Sequence, residues 1–251
     1  MERRAYESTP MRVLTRIWHF SRRNCLARKG SAIEHTLTFQ QMVDIWHAQK
    51  GQCYYLNIPM VLLTAADWKC SLERKDPAQG YTMENCVLCC HEMNGSCQWS
   101  SEKVRKFKEL LLCPDSTEFE LTDDVYRCVS KIFNTATGNA RRRKGSVERS
   151  EFNITREDLV DILVWQDGRC HYSGMRMTFE TNQDWKASLE RLNPLKGYVV
   201  GNVVFICWEF NTFDNTSRIV YSNGGSCNWS KEKMDMVRKS LVAQSDRAPA
   251  F

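Results

Sequence analysis

No stretch of this chain approaches the roughly 18 continuous apolar residues that a membrane-crossing helix needs, so nothing in it reads as a transmembrane segment. The apolar h-region of a secretory signal is also missing. The opening MERRAYESTPMRVLTRIWHF carries charge but no apolar block. An arginine-rich start of this kind also fits an organelle transit peptide, against which Glu2 and Glu7 count. Without a secretory signal, disulfides are not the expected use of cysteine. The twelve cysteines among 251 residues are expected as reduced thiols in an intracellular, reducing compartment, either buried or bound to metal. Nucleus, cytoplasm and organelle all remain open. Strong charge of either sign is lacking too: the net charge is +5, a mild lean toward anionic partners. An apolar fraction of 42 % and a charged fraction of 26 % suit a chain that folds, at a length allowing one or two domains.

One long string is written twice. SLERKDPAQGYTMENCVLCCHEMN (Ser71–Asn94) returns as SLERLNPLKGYVVGNVVFICWEFN (Ser188–Asn211). The offset that sets Cys53 over Cys170 aligns 53–94 with 170–211 without a gap, with 19 identities in 42 positions. The register extends upstream, where LTFQQMVDIWHAQKGQC lies over ITREDLVDILVWQDGRC, and LTRIWHFSRRNCLARKG resembles VSKIFNTATGNARRRKG. Downstream, GSCQWSSEKV reappears as GSCNWSKEKM after a 13-residue insertion, TFDNTSRIVYSNG. The period is domain-sized, about 110–120 residues, and far too long for a solenoid. Two modules are expected, at 1–113 and 125–251, joined by an acidic linker at 114–124.

Each copy reads as the same series of elements. Thr38 opens a helix through a capping box, echoed by Thr155, and Gly51 or Gly168 ends it. Met42, Val43 and Trp46, or Leu159, Val160 and Leu163, fall at helical spacing. A short strand around Lys69–Glu73, a turn at Asp76–Gly80 and an apolar strand at Cys86–Cys90 make a hairpin, followed by a short helix carrying Asn94. A last helix begins at Ser100 or Ser101 with Val104, Phe107 and Leu111 on one face, matched by Met234, Val237 and Leu241. The repeated tryptophans Trp68/Trp185 and Trp99/Trp229 read as core. The class is α+β: in each module a β-hairpin plus a helix, flanked by helices.

Strand, Glu-Arg, Pro/Gly turn, Gly-Tyr, Asn, apolar strand, Cys, then a helix with Asn: this order resembles the ββα-metal motif of the HNH endonuclease superfamily. It is most similar to the homing and phage-type branch and to rare-cutting restriction enzymes. The resemblance implies a metal-dependent DNA endonuclease with one Mg²⁺ per module. Glu73 and Asn94, and Glu190 and Asn211, would hold the metal. Asn85 and Asn202 would orient the loop between the strands. A carboxylate and an amide oxygen are hard ligands of the kind Mg²⁺ accepts beside its waters. The chain departs from the family where the general-base histidine belongs, with Arg74 and Arg191 there instead. Arginine does not deprotonate in a protein, but it grips phosphate oxygens well. Tyr81 and Tyr198 sit across the turn, and the rare-cutting branch is similar in pairing such an Arg with a Tyr. Taken singly, these residues read as an exposed ion pair, an ordinary turn and two caps. Their joint recurrence points to function.

Zinc-stapled members of the superfamily carry two C-x-x-C pairs. Here those positions read Cys53, Leu56, Cys90, Met93 and Cys170, Ser173, Cys207, Phe210. Two thiols per module fall short of the four ligands of a structural zinc. Burial of Cys53 beside Cys90 is therefore expected in its place, with Cys97 and Cys227 as possible third ligands. Double-stranded DNA is the expected partner. Arg22, Arg23, Arg28 and Lys29 before the first core, and Arg141, Arg142, Arg143 and Lys144 before the second, would contact phosphates. Lys103, Arg105, Lys106 and Lys108 form a third basic group. Two modules in one chain would give a monomer with an internal pseudo-two-fold, one site per DNA strand. The alternatives are a catalytically inactive nucleic-acid-binding or ribonucleoprotein subunit, a nickase with one active copy, and a zinc-stapled interaction module.

Overall fold

The computed structural model describes residues 10–27, 34–63, 66–94, 99–142, 150–212 and 228–245. Arg28, Lys29, Cys97, Arg143, Lys144, Cys227 and most of the 13-residue insertion lie outside the described residues. Among the described residues the chain is mixed α and β, with six α-helices and two small antiparallel hairpins. It forms two compact units, Met1–Val104 and Arg105–Phe251.

In the first unit, α1 (Pro10–Ala27) packs on α2 (Phe39–Ala48) and on β1 (Cys70–Arg74), and α2 packs on β2 (Cys86–Cys90). The α2 N-terminus is held by the Thr38–Gln41 capping box, which satisfies two otherwise orphaned N–H groups. Gly51 adopts a positive φ of 68° just past the helix end. β1 pairs with β2 in the register Cys70↔Cys90 through Arg74↔Cys86. β2 is buried throughout, whereas in β1 Cys70 and Leu72 are buried and Ser71 and Glu73 are half-buried. Side chains alternate along a strand, so Ser71 and Glu73 share the more open face.

The second unit repeats the plan. It contains α4 (Asp123–Arg142), α5 (Arg156–Trp165), β3 (Ala187–Arg191), β4 (Val203–Cys207) and α6 (Lys231–Ser245). The α5 cap is the equivalent Thr155–Asp158 box. β3 pairs with β4 from Ala187↔Cys207 to Arg191↔Val203.

One feature differs from expectation. The helix expected after each second strand is a single 3-10 turn, His91–Met93 in the first unit and Trp208–Phe210 in the second, with Asn94 and Asn211 at their C-caps. Each of these asparagines turns its side chain back onto the first strand, which ends the helical path after one turn. The division between the two units falls inside α3 (Ser101–Leu112), between Val104 and Arg105. Phe107 of α3 lies in an aromatic cluster of the second unit, 6.0 Å from Trp185, 5.7 Å from Phe210 and 6.4 Å from Trp229, centroid to centroid. Val104, Phe107 and Leu111 are all buried, as are Met234, Val237 and Leu241 of α6 and all four repeated tryptophans.

Candidate functional site

Glu73 is the fourth residue of β1. The Asn94 amide nitrogen donates to Ser71 Oγ at 2.8 Å and to the Leu72 carbonyl at 2.8 Å. A carbonyl only accepts, so the atom facing it must be Nδ2, and Oδ1 is the atom left to face outward. The Leu72 carbonyl belongs to the peptide leading into Glu73, so Asn94 is anchored to the strand that carries this carboxylate, at the residue before it. A carboxylate and an amide oxygen are donors of the kind that suit a hard cation that keeps most of its water. Burial raises the Glu73 pKa above the ordinary carboxylate value, partly offset by the backbone N–H and guanidinium of Arg74. Nearby positive charge would relieve that penalty.

Arg74 and Asn85 both hold the turn. Arg74 Nη1 donates to the carbonyls of Pro77 at 2.8 Å and Gln79 at 2.9 Å. Asn85 Oδ1 accepts from the Asp76 N–H at 2.9 Å, while its Nδ2 donates to the carbonyls of Asp76 at 3.0 Å and Gly80 at 2.8 Å. Arg74 lies over the Tyr81 ring at 4.9 Å. Gly80 has a steric reason: a Cβ there would meet the Glu34 carbonyl oxygen at 2.3 Å. That close approach lets Tyr81 exchange backbone hydrogen bonds with Glu34, Thr36 and Leu37. Tyr81 also stacks on His35, at 5.0 Å between centroids, and His35 Nε2 is 2.9 Å from Ser21 Oγ.

The second unit reproduces most of these bonds. Asn211 donates to Ser188 and Leu189, Asn202 braces Asn193 and Gly197, and Arg191 caps Pro194 and Lys196 while lying over Tyr198 at 5.6 Å. The exposure is different. Glu190, Arg191 and Tyr198 are 1 %, 7 % and 6 % exposed, whereas Glu73, Arg74 and Tyr81 are half-buried. The shell behind the tyrosine differs as well. Phe152 takes the place of His35 and packs edge-on against Tyr198 at 5.9 Å.

Two supporting pairs went unread in the sequence. Glu92 and Glu209, both buried, accept the backbone N–H of Trp68 at 3.0 Å and of Trp185 at 2.9 Å. Those tryptophans have positive φ, 58° and 62°, a strained geometry for a bulky residue. Gln49 and Gln166 each use both ends of the amide on the second strand, at Leu88 and Phe205. All four are identical between the copies, Glu92 and Glu209 within the repeated string and Gln49 and Gln166 upstream of it.

The positions aligned with the two C-x-x-C pairs are packed inside. Cys53, Leu56, Cys90 and Met93 are buried, and the Cys90 N–H donates to Cys53 Sγ at 3.3 Å, as Cys207 does to Cys170. A hydrogen bond from the Cys90 thiol pulls the Cys53 pKa down to about 7, while burial pushes Cys90 up. The ten cysteines among the described residues are free thiols, and no group of three or more His, Cys, Asp or Glu gathers among them.

Of the basic residues, Arg12, Arg16 and Arg23 recur along one exposed side of α1, with Arg22 exposed beside them over Trp18 at 5.5 Å. α1 contains no acidic residue. Arg141 and Arg142 are exposed at the end of α4. No described helix is long and apolar enough to cross a membrane. Compared with protein-family models, curated proteins and solved structures, the chain matches none.

Proposed function

We propose that this chain is a metal-dependent endonuclease that hydrolyses phosphodiester bonds of double-stranded DNA. The observation that carries the reading is the tether of Asn94, through its amide nitrogen, to the Leu72 carbonyl on the strand that carries the half-buried Glu73 carboxylate. Mg²⁺ held there would supply positive charge against the scissile phosphate. The net reaction adds one water: a new P–O bond forms, the bond to the 3′-oxygen breaks, and that oxygen takes up a proton. Arg74 orients the turn through Nη1 and leaves Nε and Nη2 for a phosphate oxygen. Tyr81 holds the guanidinium against its ring. The exposed arginines of α1 and the end of α4 supply sequence-independent grip on the backbone. Two modules in one chain would let a monomer engage a duplex through both units.

A second reading draws on one observation. Arg74 and Arg191 stand where the family's water-activating histidine belongs, and each caps its own turn. A chain that retains the motif as a scaffold for gripping nucleic acid, without cutting it, accounts for those bonds equally well. Incubation of the purified protein with long, sequence-diverse DNA, with and without Mg²⁺, separates the two. Discrete metal-dependent cuts that disappear in Glu73→Ala support the nuclease. Salt-sensitive binding indifferent to Glu73→Ala supports the scaffold.

A further inference from the structure

Resting on the nuclease reading, we infer that the two copies have divided their roles: the first unit carries the one site open to a cation and a phosphodiester, and the second keeps the same residues as a buried brace.

Two independent observations carry this. The first is exposure. A hydrated cation and a phosphate must both reach the carboxylate. Glu73 is half-buried, but Glu190 is 1 % exposed and Arg191 7 %. The hydrogen bonds of the turn and of the asparagine are the same in both units, so the difference is in access and not in the fold of the hairpin. The second is the shell behind the tyrosine. In the first unit Tyr81 stacks on His35, which meets the Ser21 hydroxyl. In the second, the aligned positions are Phe152 and Ala136; Ala136 is buried, and Phe152 packs between Tyr198 and Phe133. A polar shell suits a site that handles charge, and an apolar one suits a core.

The test counts Mn²⁺ bound per chain, from the electron paramagnetic resonance of free Mn²⁺, for the intact wild type, Glu73→Gln and Asn94→Ala. Thermal melting establishes that each variant is folded. One Mn²⁺ per wild-type chain, lost in Glu73→Gln and weakened at least tenfold in Asn94→Ala, is expected. Two Mn²⁺ per chain, one that survives Glu73→Gln, or none in the wild type would overturn the division. Supercoiled plasmid gives the second readout. Nicked circles are expected to accumulate, and linear product arising without a nicked precursor would overturn the inference. One Glu73-dependent Mn²⁺ with no nicking would uphold the division of the sites and reject the nuclease reading, so the two ideas fail separately.

Discussion

The side-chain nitrogen of Asn94 donates to the Leu72 carbonyl at 2.8 Å, and that single bond ties the residue ending the 3-10 turn to the strand that carries Glu73. Replacing Asn94 by alanine removes this bond and the one to Ser71. Both are half-buried, so the cost is about 1–2 kcal/mol. Chemical denaturation with and without Mg²⁺ measures it. The destabilisation is expected in both conditions, while the extra stability that Mg²⁺ gives the wild type is lost.

Glu73 makes an opposite prediction. Its carboxyl pKa is raised by burial, so the folded state binds the proton more tightly than the unfolded chain does. The stabilising contribution is therefore present below the unfolded pKa and is lost as pH rises through the folded one. Above the folded pKa the ionised side chain opposes folding. Glu73→Gln is expected to melt no lower than wild type in a chelator. With Mg²⁺ at a hundred times its dissociation constant the wild type gains about 2.7 kcal/mol, and the variant gains none.

Asn85 and Asn202 are each 5 % exposed, and each closes its turn with three hydrogen bonds. Alanine at either position strands buried backbone groups and costs about 2–4 kcal/mol. Gly80→Ala drives a methyl group into the Glu34 carbonyl and is expected to cost at least about 2 kcal/mol. Urea titration of the three variants checks both claims.

His35 puts a titrating group behind Tyr81, where Phe152 stands behind Tyr198 in the second unit. Burial, with help from the Arg22 charge, lowers the imidazole pKa against a raising backbone hydrogen bond. The folded state therefore binds fewer protons, and stability that is full above the unfolded value of about 6.5 is lost as pH falls through the folded pKa. His35→Phe, which copies the second unit, is expected to flatten the melting-temperature profile between pH 7 and about 5. An unchanged slope would remove His35 as its source.

Much of this architecture was legible because the sequence states it twice. The capping boxes at Thr38 and Thr155, the apolar strand Cys86–Cys90 and the buried faces of α3 and α6 follow from local pattern alone. So did the burial of Cys53 beside Cys90. The length of the element after the hairpin did not, because tethering Asn94 to β1 is a tertiary event. The placement of Phe107 was equally illegible: its spacing marks an apolar face but does not say which core receives it. Equal residues also concealed unequal access, since Glu73 and Glu190 are the same letter in the same string and differ only in what surrounds them.

The most direct test of the central claim begins with selection of a tight-binding duplex from a random pool in chelator. That duplex is then incubated with the wild type and Glu73→Gln as Mg²⁺ is titrated in. The account predicts hydrolysis at a fixed position in the selected duplex, rising with Mg²⁺ and absent in Glu73→Gln. Tight, salt-sensitive binding with the duplex intact at every Mg²⁺ concentration would contradict it and leave the two motifs as a scaffold that holds nucleic acid.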